Sequence, residues 1–219
     1  MLPEERAVTV FAGAGLACLR GERAVFVGLA FSVAAGSVLL LRGANGSGKS
    51  SLLRCMAGLL APAAGRLTWD DMPVAEDAEA HRRRLRYVGH QDAVKSALTV
   101  AEDLVFWQRL HGARDPAAIG AALSRFGIAH LADLPARLLS AGQRRRVALA
   151  RLLAAPAPLW LLDEPTNALD DDGVERFAAA VGEHRAGGGV VVLAAHGDPG
   201  VAGSVLALAD YAPWAEAVP

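Results

Sequence analysis

Apolar and polar residues follow one another along this chain in a pattern that predicts alternating strands and helices at both ends. Short apolar runs and period-two stretches bounded by turn residues are typical of strands. The predicted strands are AVTVFAGAGLACL (7–19, with a turn), AVFVGLAFSV (24–33), SVLLLRG (37–43), RLTW (66–69), YVGHQ (87–91), PLWLLDEP (158–165), GVVVLAAHG (189–197) and VLALAD (205–210). Helical patterns follow the strand at 37–43 and lie near GVERFAAAVGEHRA (173–186).

The middle of the chain, from about Thr99 to Ala155, has a helical pattern. Thr99 is placed to cap a helix in 98–112, and Glu102 at its third position completes a capping box. The residues expected on one broad apolar face of that helix are Leu104, Phe106, Trp107 and Leu110. Further helices are predicted at 113–127, at 130–139 and after LSAGQ (139–143).

This order of elements implies an α/β fold with an inserted helical subdomain. We predict one domain over 1–219, with an α/β core formed by about 1–91 and 156–219 and a helical subdomain at about 92–155. Two isolated cysteines, Cys18 and Cys55, are expected to be buried rather than paired or metal-binding.

Charge and hydropathy exclude two classes of function. The chain has 22 Lys+Arg against 23 Asp+Glu, a formal net charge of −1, so it lacks the basic surplus expected of a duplex nucleic-acid binder. No stretch reaches the roughly 20 apolar residues that a membrane-spanning helix needs. We therefore expect no nucleic-acid partner and no transmembrane segment.

A glycine-rich loop, GANGSGKS (43–50), lies between a predicted strand and a predicted helix and fits G-x-x-x-x-G-K-[ST] in full. Its glycines let successive N–H groups point at phosphate oxygens, Lys49 supplies a charge at the β- and γ-phosphates, and Ser50 offers a hydroxyl to Mg²⁺. A plain glycine-rich turn is a weak alternative, because all the fixed positions match. The predicted nucleotide contacts are Gly43, Ala44, Asn45, Gly46, Ser47, Gly48, Lys49, Ser50 and Ser51.

Polar residues stand at the ends of three predicted strands. Asp163 suits water-mediated Mg²⁺ binding, and Glu164 suits orienting and deprotonating an attacking water. Gln91 could reach both metal and water, and His196 is placed to hydrogen-bond a γ-phosphate. The alternatives are an acidic helix cap for the two carboxylates, a polar loop residue for Gln91 and an incidental histidine.

A second anion-binding feature lies at LSAGQRRR (139–146), where a hydroxyl-bearing turn leads into a helix. Free N–H groups and the positive end of the helix dipole both favour anions there. The alternative is a capped helix whose arginines, Arg144 to Arg146, form a solvated basic face.

These motifs together resemble the ATP-binding cassette (ABC) family of ATPases, in order and over nearly the whole chain: GANGSGKS, Gln91, LSAGQ, LLDEP, NALD (167–170) and His196. The resemblance implies a P-loop NTPase fold with a RecA-like core and two copies packed head to tail. It implies that Ser140 and Gly142, with the helix start at 141–143 that includes Gln143, hold the γ-phosphate of the partner copy. Asp170 would lie at the dimer seam, and hydrolysis would loosen the dimer.

Two positions depart from the family pattern. Ala141 stands where the commonest signature has Gly. Where an aromatic residue often stacks on adenine, the chain has LACLRGERAVF (16–26), so that Arg20 or alternatively Phe26 is expected to contact the base.

Several stretches narrow the resemblance to the ATP-binding subunits of cytochrome c maturation (haem exporter) complexes. They are YVGHQDAVKSALTVAEDLVFWQRLHG and LSAGQRRRVALARLLAAPAPLWLLDEP, whereas NALD is closer to ordinary cassettes. This implies a peripheral ATPase on the cytoplasmic face of a bacterial inner membrane, with integral partners like CcmB, CcmC and CcmD. ATP turnover would drive haem handling or release of a haem-loaded chaperone; the alternative is an ABC transporter for a different substrate. No C-x-x-C-H motif is present, so direct haem binding is not expected. A groove near Gln91, fed by Leu98, Phe106 and Trp107, would receive the membrane partner.

Overall fold

The computed structural model describes residues 10–213, which form an α/β fold built on two sheets. The strands are β1 Val10–Arg20, β2 Arg23–Ala34, β3 Val38–Arg42, β4 Ala64–Trp69, β5 Met72–Pro73, β6 Leu85–Val88, β7 Leu159–Asp163, β8 Val190–Ala194 and β9 Ser204–Ala207. The helices are α1 Lys49–Met56, α2 Ala78–Arg83, α3 Val100–Leu110, α4 Pro116–Arg125, α5 Ala141–Ala154 and α6 Asp171–Ala186.

A parallel five-stranded sheet in the order β6-β7-β8-β3-β9 forms the centre of the molecule. β7 and β3 lie on either side of β8, so the carboxyl ends of these three strands open at one edge of the sheet, where ligands of such sheets bind. A separate antiparallel sheet has the order β2-β1-β4-β5. The apolar pattern predicted the longer strands but not their division between two sheets.

The parallel sheet is buried on both faces, as the unbroken apolar runs of its strands require. In β7, Leu159 and Leu161 point into a core shared with α1 and the antiparallel sheet. Trp160 and Leu162 point into the opposite core, which α3, α4, α5 and α6 complete. The two cores fix α1 on one side of the sheet and α5 and α6 on the other, so that their N-termini are available at the carboxyl edge.

The predicted capping box of α3 is present. Thr99 Oγ1 accepts from the Glu102 N–H at 3.2 Å, and Glu102 Oε2 accepts from the Thr99 N–H at 2.8 Å. The predicted apolar face of this helix is wrong in part: Leu104 is fully buried, but Phe106 and Leu110 are 37% and 59% exposed. At 100° per residue Phe106 lies about 200° from Leu104 around the helix, so the two cannot share a face.

Two element boundaries differ from the prediction. The strand expected at 87–91 is β6, which ends at Val88, so Gln91 lies in the following loop instead of at a strand end. The helix expected at 130–139 is two short 3₁₀ turns, Ala129–Leu131 and Ala136–Leu138. Pro135 separates them because it lacks the N–H that a continuous helix would use. The helices between residues 10 and 213 are all too short or too polar to cross a lipid bilayer.

Candidate functional site

The glycine-rich loop connects β3 to α1 at the carboxyl edge of the parallel sheet. Gly48 precedes α1 with φ 102°, and a Cβ there would lie 2.5 Å from Val25 Cγ1. A Cβ on Gly43 would lie 2.5 Å from Ser47 Oγ, so side chains are excluded from both positions. Lys49 Nζ donates to the Gly43 and Ala44 carbonyls at 2.7 and 3.0 Å. The loop therefore folds around a lysine ammonium group, and the Ser47 hydroxyl is buried without a hydrogen-bond partner among the described residues.

This loop forms one wall of a cavity of about 800 Å³, which we call the phosphate pocket. Seven of the nine predicted contacts in the glycine-rich loop line it: Asn45, Gly46, Ser47, Gly48, Lys49, Ser50 and Ser51. Arg20, Glu164 and His196 line it as well. Gly43 and Ala44 contribute the carbonyls that hold Lys49. A cavity with a lysine, three hydroxyls and a glycine-rich backbone has the chemistry of a triphosphate site.

The Lys49→Ala substitution is expected to weaken ATP binding by about tenfold or more, since a hydrogen bond to a charged group contributes about 1.5–3 kcal/mol. Equilibrium titration of the purified chain with a fluorescent ATP analogue measures this. Lys95→Ala is the matched control, because Lys95 lies over the Phe106 ring and outside the phosphate pocket. Equal affinities of the Lys49→Ala variant and the unaltered chain would contradict the assignment.

Apolar residues and two arginines also line the phosphate pocket. Arg20 ends β1 and Arg23 begins β2, and Val25, Leu208 and Ala212 line the same pocket. Phe26 is fully buried in the core, so the alternative that it stacks on adenine is wrong. Arg23, three residues after Arg20, was not singled out from the sequence; the tight β1–β2 turn brings both guanidinium groups to the same wall.

Glu164 directly follows β7 in a strained conformation. Its φ is 52°, in the left-handed region that costs a non-glycine residue about 1 kcal/mol or more, and its N–H donates to the Ala194 carbonyl of β8 at 2.9 Å. The carboxylate contacts His196 Nε2 at 3.0 Å and accepts from Asn167 Nδ2 at 2.6 Å. Strain at this position is tolerated because both the backbone and the side chain are held on several sides.

His196 is positioned by the strand that carries the phosphate loop. The Arg42 guanidinium, at the end of β3, donates to the Ala195 and Gly197 carbonyls at 3.0 and 2.5 Å, on either side of His196. His90, to which the sequence assigned no role, has its Nδ1 3.9 Å from Glu164 Oε2. The arrangement brings the Glu164 carboxylate and the His196 imidazole to the phosphate pocket, with His90 beside the carboxylate, so that a water could be oriented and deprotonated there.

Of the three predicted metal ligands, only Ser50 lines the phosphate pocket. Asp163 is the last residue of β7 and is 2% exposed. A hydroxyl and a carboxylate are oxygen donors of the kind that Mg²⁺ prefers, so these two residues fit the ion. Gln91 instead lines a different cavity of about 430 Å³, beside Tyr87 and Trp107. It lies there because β6 ends three residues before it.

The LSAGQ turn forms a second pocket of about 400 Å³, which we call the signature pocket and which shares no residue with the phosphate pocket. Ser140, Gly142, Gln143 and Asp170 all line it. Ser140 Oγ accepts from the Gln143 N–H at 3.2 Å, and Gln143 Oε1 accepts from the Ser140 N–H at 2.9 Å. The capping box uses the acceptor of Ser140 and leaves its O–H proton available to an anion.

Asp170 is the N-cap of α6 and faces the signature pocket. Its Oδ1 accepts from the Gly173 N–H at 2.9 Å, and the Arg146 guanidinium also contacts this carboxylate. The Gly173 N–H first, and Arg146 second, hold the pKa of Asp170 below its ordinary value. The alternative interpretation, a solvated basic face at Arg144 to Arg146, is wrong for Arg145, which is 3% exposed, and for Arg146, which binds Asp170 and Asp172.

Known proteins resemble this chain in sequence and in fold. Residues 26–167 match the ABC transporter family. The cytochrome c biogenesis ATP-binding export protein CcmA of Paramagnetospirillum magneticum is 54% identical over 214 residues, covering 96% of this chain and 99% of the relative. The protein of that name from Rhodospirillum rubrum is 55% identical, and the match covers 94% of this chain and 89% of the relative. In fold, a putative ABC transporter ATP-binding protein from Pyrococcus furiosus superposes with a TM-score of 0.82 at 22% identity. The superposition covers 93% of this chain and 100% of that protein. The chain belongs to the CcmA family of ABC transporter ATP-binding proteins and is an ATPase.

Proposed function

We propose that this chain is the ATP-hydrolysing subunit of a membrane ABC complex that serves cytochrome c biogenesis, where it drives haem handling or release of a haem-loaded chaperone. The observation that carries the proposal is the 54% identity to a cytochrome c biogenesis ATP-binding export protein over 99% of that relative's length. The matched residues cover 96% of this chain.

In this proposal ATP is the substrate of the phosphate pocket. Lys49 and the loop N–H groups bind its phosphates, Glu164 takes a proton from the attacking water, and His196 hydrogen-bonds the γ-phosphate and holds the Glu164 carboxylate in place. Ser50 and Asp163 would hold Mg²⁺, which when bound neutralises phosphate charge. Gln91 joins these residues on movement of the segment 89–92, which follows β6 without regular secondary structure.

Two copies of the chain would pack head to tail around two ATP molecules. The support for this is the separation of the phosphate and signature pockets on one chain, since each contains only part of the groups that a triphosphate needs. The Ser140 hydroxyl and the N–H groups at the start of α5 would contact the γ-phosphate bound to the other copy, with Asp170 at the seam. Loss of the γ-phosphate removes these contacts and loosens the dimer.

The membrane partner would dock beside the segment that carries Gln91. Two adjoining cavities of about 280 and 430 Å³ share Tyr87, Val88, Trp107 and Arg151, and we call them together the docking groove. Trp107 Nε1 is buried there without a hydrogen-bond acceptor among the described residues. The charged side chains lining the groove are Arg54, Arg82, Arg86 and Arg151, against one carboxylate, Asp92. An apolar segment that carries a carboxylate suits this lining.

The subunits proposed to occupy this groove are integral membrane proteins like CcmB, CcmC and CcmD. With such partners the chain would lie peripherally on the cytoplasmic face of a bacterial inner membrane. Haem would be handled by those partners and not by this chain. Among residues 10–213 no group of three or more His, Cys, Asp or Glu side chains has the geometry of a metal site, so Mg²⁺ binding would rely on nucleotide phosphates as well.

Co-purification tests the proposed function. The full-length chain, tagged and isolated from detergent-solubilised membranes, is expected to carry with it an integral membrane partner that handles haem. Trp107→Ala should reduce recovery of that partner several-fold, because this side chain lines both cavities of the docking groove. Recovery of an unrelated permease would instead support transport of a different substrate and would overturn the role in cytochrome c biogenesis.

A further inference from the structure

Arg145 is a buried arginine on α5, one turn after the helix begins at Ala141, and its side-chain hydrogen bonds go to the end of β7 with the turn after it and to the segment after β6. It is 3% exposed. Its guanidinium donates to the carbonyls of Asp163 at 2.7 Å, Glu164 at 2.5 Å and Pro165 at 3.0 Å. It also donates to the Gly89 carbonyl at 2.9 Å and to Asp92 Oδ1 at 3.1 Å. An arginine has five N–H donors, and here five bonds use them.

The first three bonds hold the turn that presents Glu164. Because Glu164 has a left-handed φ of 52°, its turn needs contacts that oppose relaxation to an ordinary conformation. On one side the turn is tied to β8 through the Glu164 N–H and the Ala194 carbonyl. On the other side its three consecutive carbonyls converge on Arg145. Removing the guanidinium leaves those carbonyls without their donor and frees the turn to move the carboxylate.

The remaining two bonds hold the segment that carries Gln91. Gly89 and Asp92 stand on either side of that residue, and Gly89, Gln91 and Asp92 all line the docking groove. Arg151, also on α5, fixes the end of the segment through the Asp92 and Ala93 carbonyls at 2.6 and 3.1 Å. Displacement of segment 89–92 therefore changes the contacts of the same guanidinium group that holds the Glu164 turn.

We propose that Arg145 is a positioning residue for ATP hydrolysis. It holds the Glu164 carboxylate in position and links that position to the segment that lines the docking groove. The inference rests on the proposed nucleotide chemistry and adds to it a mechanical connection between a membrane partner bound in the docking groove and Glu164. Arg145 does not line the phosphate pocket. It acts through Glu164, and a change at Arg145 should alter the rate of hydrolysis and not the binding of ATP.

The test compares Arg145→Gln and Arg145→Lys with the unaltered full-length chain as purified from detergent-solubilised membranes. For Arg145→Gln, kcat is expected to fall about tenfold or more, because a small misplacement of a catalytic group can cost up to about 100-fold. The Kd for ATP should change less than about twofold, since the phosphate loop is untouched. Arg145→Lys should be intermediate, since one ammonium group can replace only some of the five bonds.

Arg185→Gln is the matched control for loss of a structural arginine. Arg185 donates to the Gly36 and Ala202 carbonyls at 3.0 and 3.3 Å, at the opposite edge of the sheet from Glu164. It should lower the unfolding temperature without changing kcat by more than about twofold. A kcat for Arg145→Gln that stays within twofold of the unaltered chain, or a fall in kcat matched by an equal rise in Kd, would overturn the proposal.

Asp92→Asn keeps the test decisive if Arg145→Gln does not fold, since it weakens only one of the five bonds. It is expected to lower kcat about threefold by itself and by a smaller factor in the Arg145→Lys background, because Arg145→Lys already weakens the connection that Asp92→Asn interrupts. Additive effects would show that segment 89–92 is not linked to Glu164 through Arg145. Absence of ATP hydrolysis by the unaltered chain would count against the proposed function instead, so the two failures are distinguishable.

Discussion

Glu164→Gln is expected to lower kcat for ATP hydrolysis about 1,000-fold while ATP binding is retained, since general-base catalysis commonly contributes about 10²–10⁴. The amide is close in size to the carboxylate, and it can keep one hydrogen bond to His196 or Asn167, but it cannot take a proton from water. Because the phosphate loop and the signature pocket are unchanged, the variant should accumulate as an ATP-bound dimer. Steady-state hydrolysis measures the first effect, and size-exclusion chromatography with and without ATP measures the second.

Glu183→Gln is the matched control for this change. Glu183 is an exposed carboxylate on α6 that pairs with Arg125 at 2.6 Å, and surface pairs of this kind contribute about 0–1 kcal/mol. The control variant should hydrolyse ATP at the rate of the unaltered chain and should not be trapped as a dimer. If Glu164→Gln hydrolysed ATP at that rate too, another group would have to be the base, and His196 would be the first to examine because it lines the phosphate pocket 3.0 Å from the same carboxylate.

The features that could be predicted from sequence are those set by local spacing or by strand order. The phosphate loop is contiguous, so its eight positions define their own geometry. Glu164 and His196 stand after β7 and β8, and adjacent parallel strands bring their carboxyl ends together, so the 3.0 Å contact between them follows from the order of elements. The same reasoning placed Gln91 at a strand end, and that placement is wrong because β6 ends at Val88. No periodicity signal marks the last residue of a short strand.

The features that could not be predicted depend on long-range packing of polar groups. Arg145 gave no signal in the sequence, where it is the middle one of three consecutive arginines on an exposed-looking turn of helix. Its acceptors lie at residues 89, 92 and 163–165, and four of the five are backbone carbonyls, which carry no sequence signature. The same holds for Arg42, whose two acceptors are carbonyls beside His196. Such residues show their role only when the loops they join are seen in three dimensions.

Gly142→Ala is expected to lower kcat about 100-fold with little effect on ATP binding by the phosphate pocket, because loss of one preorganised backbone donor can cost about 10²–10³. A Cβ at this position would lie 2.7 Å from the Ala168 carbonyl, and Ala168 already has a left-handed φ of 63°. Either the start of α5 or the loop before Asp170 must therefore move. Both line the signature pocket, so the groups proposed to contact the partner copy's γ-phosphate would be misplaced while Lys49 would not.

Gly182→Ala separates this effect from the general one of replacing a helical glycine. Gly182 lies within α6, and a Cβ there would meet no atom within 4 Å, so the control should be neutral or more stable by about 0.5–1 kcal/mol.

Mixing Gly142→Ala subunits with Lys49→Ala subunits tests whether the signature pocket acts on the partner copy. In a head-to-tail dimer of one subunit of each kind, one of the two composite sites has both defects and the other has neither, so such mixtures should recover activity that neither variant has alone. No recovery in mixtures whose heterodimers are demonstrated would mean that the signature pocket acts on its own subunit and not on the partner.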